Sequence, residues 1–331
     1  MKYRELGKSG IKVSTISMGC WAIAGGRNWG EQDDRDSVAA IRAAFDCGIN
    51  FFDTAEGYGD GYSEKILGRT VKDFRKEIVI ASKVSPNHLH PDDVKKSCED
   101  SLRRLKTDYL DLYYIHWPNH DIPFAETLGA MQELKKEGKI RAIACSNFGK
   151  NDLSEILKHG SIAANQLPYN LLWRAIEYEI QPICVKNNVS ITCYSPIAQG
   201  LLTGKFENVE DVPAGRARTR HFSGDRPYAR HNEEGAEEET FRVINKLRGI
   251  AEEAGIDLIH LALAWLHYKS GVTSVIVGAR NSRQIKENAK AADIELSEDI
   301  VEELNQITSD LKHKFGKNPD MWNTGQESRY N

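Results

Sequence analysis

The sequence predicts an α/β protein: a (β/α)8 barrel of the TIM type, with an N-terminal β-hairpin and an extra C-terminal helix. Three observations carry this. Short runs of apolar and β-branched residues alternate with helical patterns eight times, and no Pro/Gly/Ser-rich linker divides them. Those runs are mostly apolar throughout, as suits parallel strands covered by helices on their outer face. No strand leads into G-x-G-x-x-G, the phosphate turn expected of the alternative, a doubly wound sheet. The expected organisation is one domain over residues 1–331, with a long polar loop at 207–238 and a tail at 311–331.

The elements follow in order. "YRELGKSGIKVSTI" reads as a hairpin turning at Lys8-Ser9-Gly10. The first barrel strand is "ISMG" (16–19), followed by a helix over 34–47. "INFFD" (49–53) precedes a helix over 63–74, and "EIVIASK" (77–83) one over 91–105. "LDLYYIH" (110–116) precedes a helix over 123–137, closed by Gly138 as its C-cap. "IRAIACS" (140–146) leads to a helix over 150–158, and "AANQ" (163–166) to one over 178–187. "SITCYS" (190–195) opens the long loop before helices over 237–254 and 257–268. "SVIVGA" (274–279) precedes a helix over 282–291, and a last helix covers 298–310.

Composition narrows the function classes. Of 331 residues, 40% are hydrophobic, enough for a large core. The net charge of -4, from 44 basic and 48 acidic residues, favours neither nucleic acid nor anionic lipid as a partner. No apolar run has the length of a membrane span, and "MKYRELGKSG" lacks the apolar segment of a signal peptide, so a cytoplasmic location is expected. Six cysteines without a C-x-x-C pair predict packed, reduced thiols. Ten histidines show no metal-ligand spacing; "HLH" (88–90) reads as a surface turn, and no metal is expected. The oligomeric state is left open.

In such a barrel the site lies at the C-terminal ends of the strands. From the second strand onward these ends read Asp53, Lys83, His116, Ser146-Asn147, Gln166, Tyr194-Ser195 and Gly278-Ala279-Arg280. Period-2 alternation puts Asp53 on the face of Phe51, and Lys83 on the face of Val79 and Ala81. Tyr58 hangs in the loop "DTAEGYGDGYSE" (53–64), within reach of Lys83. A nearby cation is expected to lower a phenol's pKa. Asp53 would hold Lys83 charged, and His116 would orient a substrate oxygen. Proton exchange without a nucleophile suits hydride transfer, which needs a cofactor. Tyr194 could stack on a nicotinamide, and Ser146, Asn147 and Gln166 could bond its carboxamide. "IAQGLLTGK" (197–205) offers backbone N–H groups and Lys205 to a pyrophosphate, and Arg280 with the following helix suits an adenosine phosphate.

These residues resemble those of the aldo-keto reductases, NADP(H)-dependent (β/α)8 oxidoreductases. "GINFFDTAEGYGDGYSEKILG", "IVIASKV", "LDLYYIHWP", "GKIRAIACSNF" and "ITCYSPIAQGLLTGK" follow the family's order, and the likeness covers about residues 2–310. It is nearer the bacterial sugar- and inositol-associated members and the potassium-channel β-subunit branch. The resemblance implies a catalytic tetrad of Asp53, Tyr58, Lys83 and His116. It implies nicotinamide contacts from Ser146, Asn147, Gln166 and Tyr194. It implies phosphate and adenine contacts from Ser195, Gly200, Leu201, Lys205, Gly278, Arg280, Gln284 and Asn288, and further cofactor contacts from Cys20, Trp21, Asp53 and Pro196. Many relatives carry Lys-Ser at Gly278-Ala279 and Arg at Gln284, so Arg280 is expected to compensate at the 2′-phosphate.

The implied activity is NADP(H)-dependent interconversion of aldehydes or ketones with alcohols. The alternatives are a sugar or polyol dehydrogenase working oxidatively, and a cofactor-binding regulatory subunit. Trp21 and Trp117, with Trp29, are the expected walls of a pocket for a carbonyl or polyol. Arg216, Arg218 and Arg220 of the long loop are expected to seek anions and order over the cofactor. The tail has no periodicity and is expected either to fray or to fold back as a lid.

Overall fold

The computed structural model describes residues 1–26 and 29–330. Strands β1 (Tyr3–Glu5) and β2 (Lys12–Ser14) form an antiparallel hairpin. Among the described residues, eight further strands are all parallel and close into a barrel. They are β3 (Ile16–Gly19), β4 (Phe51–Asp53), β5 (Val79–Val84), β6 (Leu110–Ile115), β7 (Ile140–Ser146), β8 (Ala164–Pro168), β9 (Ser190–Tyr194) and β10 (Val272–Gly278). The ring runs in chain order and closes where β10 pairs with β3, Gly278 opposite Gly19. Around it lie α1 (Asp34–Asp46), α2 (Tyr62–Thr70), α3 (Pro91–Leu105), α4 (Phe124–Lys136), α5 (Lys150–Ile156), α6 (Ile180–Asn187), α7 (Glu237–Glu253), α8 (Leu258–Leu266), α9 (Ser282–Lys290), α10 (Glu298–Ile307) and α11 (Ser309–Phe315). None of the helices among the described residues is long and apolar enough to cross a membrane.

Strand alternation divides the core in two. Phe51, Val79, Ala81, Leu112, Tyr114, Ala142 and Ala144 pack together inside the barrel. Their neighbours Phe52, Ile80, Tyr113, Ile143 and Cys145 pack outward against the helices. The hairpin stoppers the lower mouth with Leu6, Ile11 and Val13. Its turn comes so close that a Cβ on Gly7 (φ +52°) would stand 2.6 Å from the carbonyl oxygen of Ala163, so only glycine fits there. Asp53 and Lys83 continue the inward-facing rows of Phe51 and of Val79 and Ala81, and so arrive at the upper rim.

Two helices depart from expectation. The helix expected over 63–74 stops at Thr70, and a 3-10 segment, Lys72–Glu77, carries the chain on, with Phe74 leaving helical dihedrals. The helix expected over 298–310 breaks at Thr308, whose hydroxyl donates to the Leu304 carbonyl and accepts from the Arg174 guanidinium at 2.8 Å. A new helix, α11, then extends into the tail, where no periodicity had marked one.

Candidate active site

Lys83 lies at the centre of the rim, fully buried. Its Nζ donates to Asp53 Oδ1 at 2.5 Å, to the Thr54 carbonyl at 2.8 Å and to the Tyr58 hydroxyl at 3.2 Å. Gln166 Nε2 donates to the other Asp53 oxygen at 2.8 Å, so the buried carboxylate meets donors on both sides. The loop carrying Tyr58 is fixed from below: Thr54 Oγ1 donates to Ser63 Oγ, and Ser63 Oγ to the Cys20 carbonyl. The His116 ring meets the Tyr58 ring edge-on, centroids 5.8 Å apart. The Trp21 ring stacks on the same phenol at 5.8 Å, and Trp29 meets Trp21 edge-on. Cys20 is buried beneath, its thiol pushed up by burial and held as a neutral packing group.

One electrostatic expectation is reversed. Burial pushes the Tyr58 hydroxyl above the ordinary tyrosine value; Lys83 pulls it down by less, and Asp53 behind Lys83 adds to the rise. The phenol is therefore a protonated donor at neutral pH, not a phenolate. For Lys83, burial opposes its charge, but Asp53 and Tyr58 together outweigh burial and hold it above the usual lysine value. Burial, then the charges of Lys83 and Arg329, lower His116 to about 3, so its imidazole is neutral.

Beside this group lie the residues expected to hold a nicotinamide. Asn147, at φ +63°, donates from Nδ2 to the His116 carbonyl and to Ser146 Oγ, each at 3.0 Å. Ser146 Oγ donates to the Gln166 carbonyl at 3.1 Å. Tyr194 donates to Asn147 Oδ1 at 2.8 Å. Beyond Tyr194, Ser195 (φ +50°) and buried Pro196 turn the chain, and Asn170 holds the Ser195 carbonyl.

The end expected to hold the phosphates is cationic. A Cβ on Gly200 (φ +104°) would stand 3.1 Å from Lys205 Nζ and 3.3 Å from Arg216 Nη1, so a bare backbone here keeps the space between two cations open. Neither cation has a carboxylate partner among the described residues. Burial and then mutual repulsion lower both, Arg280 being the neighbour that acts on Arg216. Leu201 is buried alongside. Arg280 donates to Gln32 Oε1 at 2.7 Å and to the Glu31 carbonyl, and Gln284 Oε1 accepts from the Arg280 N–H. Asn288 reaches the Gly278 carbonyl. Three repelling cations at one end and an amide-rich cluster at the other fit a phosphorylated dinucleotide.

The long loop departs from its expectation at Arg220. That side chain is 5% exposed and paired with Glu233 through bonds of 2.8 and 3.1 Å, and it also donates to the carbonyls of Asn318 and Asp320. Arg226 pairs likewise with Glu237. Glu233 of the loop's acidic half neutralises Arg220, which therefore seeks no outside anion. Arg216 of this segment joins Lys205 at Gly200.

The residues that sequence reasoning missed lie in the tail. Tyr330 donates to Asn147 Oδ1 at 2.6 Å. The Trp322 ring lies parallel to Tyr194, and Arg329 sits 3.7 Å over the Trp117 ring. Of the two outcomes weighed for the tail, it folds back. Gln32 was missed too. No pattern in "NPDMWNTGQESRYN" signals such contacts, because they are made across the whole length of the chain.

A parallel barrel with a buried ammonium–carboxylate pair on a protonated phenol, and an amide cluster leading to cations, defines an oxidoreductase of carbonyl and alcohol groups. Comparison with known proteins agrees. Residues 15–309 match the family model of the Aldo/keto reductase family. The chain is 32% identical to "Aldo-keto reductase YhdN" of Bacillus subtilis, over 93% of each chain. It is 34% identical to the "NADH-specific methylglyoxal reductase" of Escherichia coli, over 90% of this chain and 95% of that one. The crystal structure of an aldo/keto reductase from Klebsiella pneumoniae in complex with NADP and acetate matches with a TM-score of 0.74 at 31% identity, covering 93% of this chain and 96% of that one. The chain belongs to the aldo/keto reductase family.

Proposed function

We propose that this protein reduces small aldehydes and ketones with NADP(H), Tyr58 giving the proton to the carbonyl oxygen. The observation that carries the reading is the Lys83 ammonium: it bonds Asp53 and Tyr58 at once, while the phenol stays protonated. NADPH, when bound, supplies the hydride. Tyr58 supplies the proton, and Lys83 stabilises the negative charge left on its oxygen. His116, as a neutral imidazole, donates a hydrogen bond to the same substrate oxygen and fixes its place. Ser146, Asn147 and Gln166 orient the nicotinamide, and Trp21, Trp29 and Trp117 keep water from the carbonyl. Lys205, Arg216 and Arg280 favour NADP(H) over NAD(H) through charge-assisted bonds to its phosphates.

Oxidation of a polyol would start from the Tyr58 phenolate and would therefore be favoured only at high pH. A purely regulatory role would not require the four polar groups to be kept in contact. Six free thiols fit work in the reducing cytoplasm. The test is NADPH oxidation followed at 25 °C across a panel of short aldehydes, ketones and sugars. Turnover on none of them, with NADPH bound in a direct titration, would overturn the reading.

A further inference from the structure

We propose that the C-terminal segment from Asp320 to Tyr330 is an internal competitor for the nicotinamide end of the cleft, which the cofactor must displace in order to bind. The inference rests on the cofactor assignment above.

The first ground is the saturation of one oxygen. An amide oxygen has two lone pairs. Asn147 Oδ1 uses both, accepting from Tyr194 at 2.8 Å and from Tyr330 at 2.6 Å. A carboxamide N–H that donates to this oxygen has to evict one of them. Tyr194 is anchored on β9, whereas Tyr330 lies outside every strand and helix and is the one free to leave.

The second ground is coverage. Trp322 lies parallel to Tyr194, 10° between planes and 6.2 Å between centroids, against the ring proposed to stack on the nicotinamide. Arg329 covers Trp117, and Tyr330 meets the same indole edge-on at 5.5 Å. One short segment thus engages the amide, the stacking ring and the pocket wall together.

The third ground is that the segment has a structure of its own to move with. Asp320 is fully buried and accepts from the backbone N–H groups of Trp322, Asn323 and Arg329, and from the Arg329 guanidinium at 2.8 and 2.9 Å. Arg329 thereby has its charge met inside the segment by Asp320, and its hold on the barrel is the stacking over Trp117. The segment is tied to the long loop by the Arg220 N–H, which donates to the Met321 carbonyl, while among the described residues none of its hydrogen bonds goes to Lys205 or Arg216 at the phosphate cradle. The adenosine phosphates can therefore bind first at the open cationic end, and the nicotinamide enters as Tyr330 and Trp322 withdraw.

The test is calorimetric titration of the full chain, of Tyr330→Phe, and of a chain ending at Asn323, which keeps the Met321 carbonyl under Arg220. Each is titrated with NADP+ and with adenosine 2′,5′-bisphosphate, which has the phosphates but no nicotinamide. A site whose competent state is only partly populated binds more weakly by that fraction. Both variants are expected to bind NADP+ at least about threefold more tightly, and the bisphosphate as the full chain does. If both variants bind NADP+ no better than the full chain, or less well, the segment is no competitor and the proposal falls. Tyr330→Phe keeps the fold if the shortened chain does not. If neither ligand binds the full chain, the cofactor assignment itself falls and this inference with it.

Discussion

Lys83 has three protons to donate, and three oxygens receive them: a carboxylate, a backbone carbonyl and the phenol of Tyr58. Its orientation is therefore fully specified. Tyr58→Phe removes the proton donor but keeps the ring under Trp21. Turnover on an aldehyde should fall about 10²- to 10⁴-fold with cofactor affinity nearly intact; near-normal turnover would remove Tyr58 from its role. The titrations give the pH course. Tyr58 stays protonated up to and beyond the ordinary tyrosine value, and His116 stays neutral down to about 3. The reductive kcat/KM should accordingly be flat from about pH 5 to about pH 10, and fall only beyond that as the phenol loses its proton. At the other end of the cleft, Arg216→Ala should weaken NADPH and leave NADH nearly unchanged, read as the ratio of two dissociation constants. Equal losses for both would mean that Arg216 meets no phosphate peculiar to NADP(H).

At the scale of elements, two connections are held by close contacts. The hairpin seals the barrel through Gly7, whose left-handed backbone faces the Ala163 carbonyl. Gly7→Ala adds both strain and a clash, at a cost of roughly 1–3 kcal/mol. Its urea midpoint should fall while cofactor affinity holds, because the hairpin lies at the mouth opposite the site. The long loop is held by Arg220, which stacks over Trp173 and bonds Glu233 and the tail. Arg220→Met should free loop and tail together, with trypsin cutting after Lys317 much faster than in the unaltered chain. Unchanged cleavage would show that the segment is anchored elsewhere.

For the whole molecule, buried neutral imidazoles set the acid limit. Burial holds His116 at about 3, and His221 and His267 at about 4. In the unfolded chain each titrates near 6.5. Between those values the unfolded chain binds more protons, so falling pH favours unfolding. Full stability is present above about pH 6.5 and declines steadily below it, by roughly 3 kcal/mol for His221 alone once pH 4 is passed. His221→Asn should flatten the fall of the thermal midpoint between pH 6.5 and 4; an unchanged slope would assign the acid loss to other groups.

The sequence by itself determined the barrel, because alternation of period 2 and helical periodicity are local, and eight repeats of them allow one closed arrangement. It determined the strand-end residues for the same reason: alternation decides which side chains face inward, and direction decides which end is the rim. Only the tertiary structure decided the state of Tyr58, since burial is a sum over neighbours from many strands and here exceeds the pull of Lys83. It also decided the fate of Arg220, whose partner Glu233 was legible as charge but not as contact. And it alone placed Trp322, Arg329 and Tyr330 over the site, because their contacts join residues 128 to 212 positions apart in the chain, a distance over which no pattern in the residues survives.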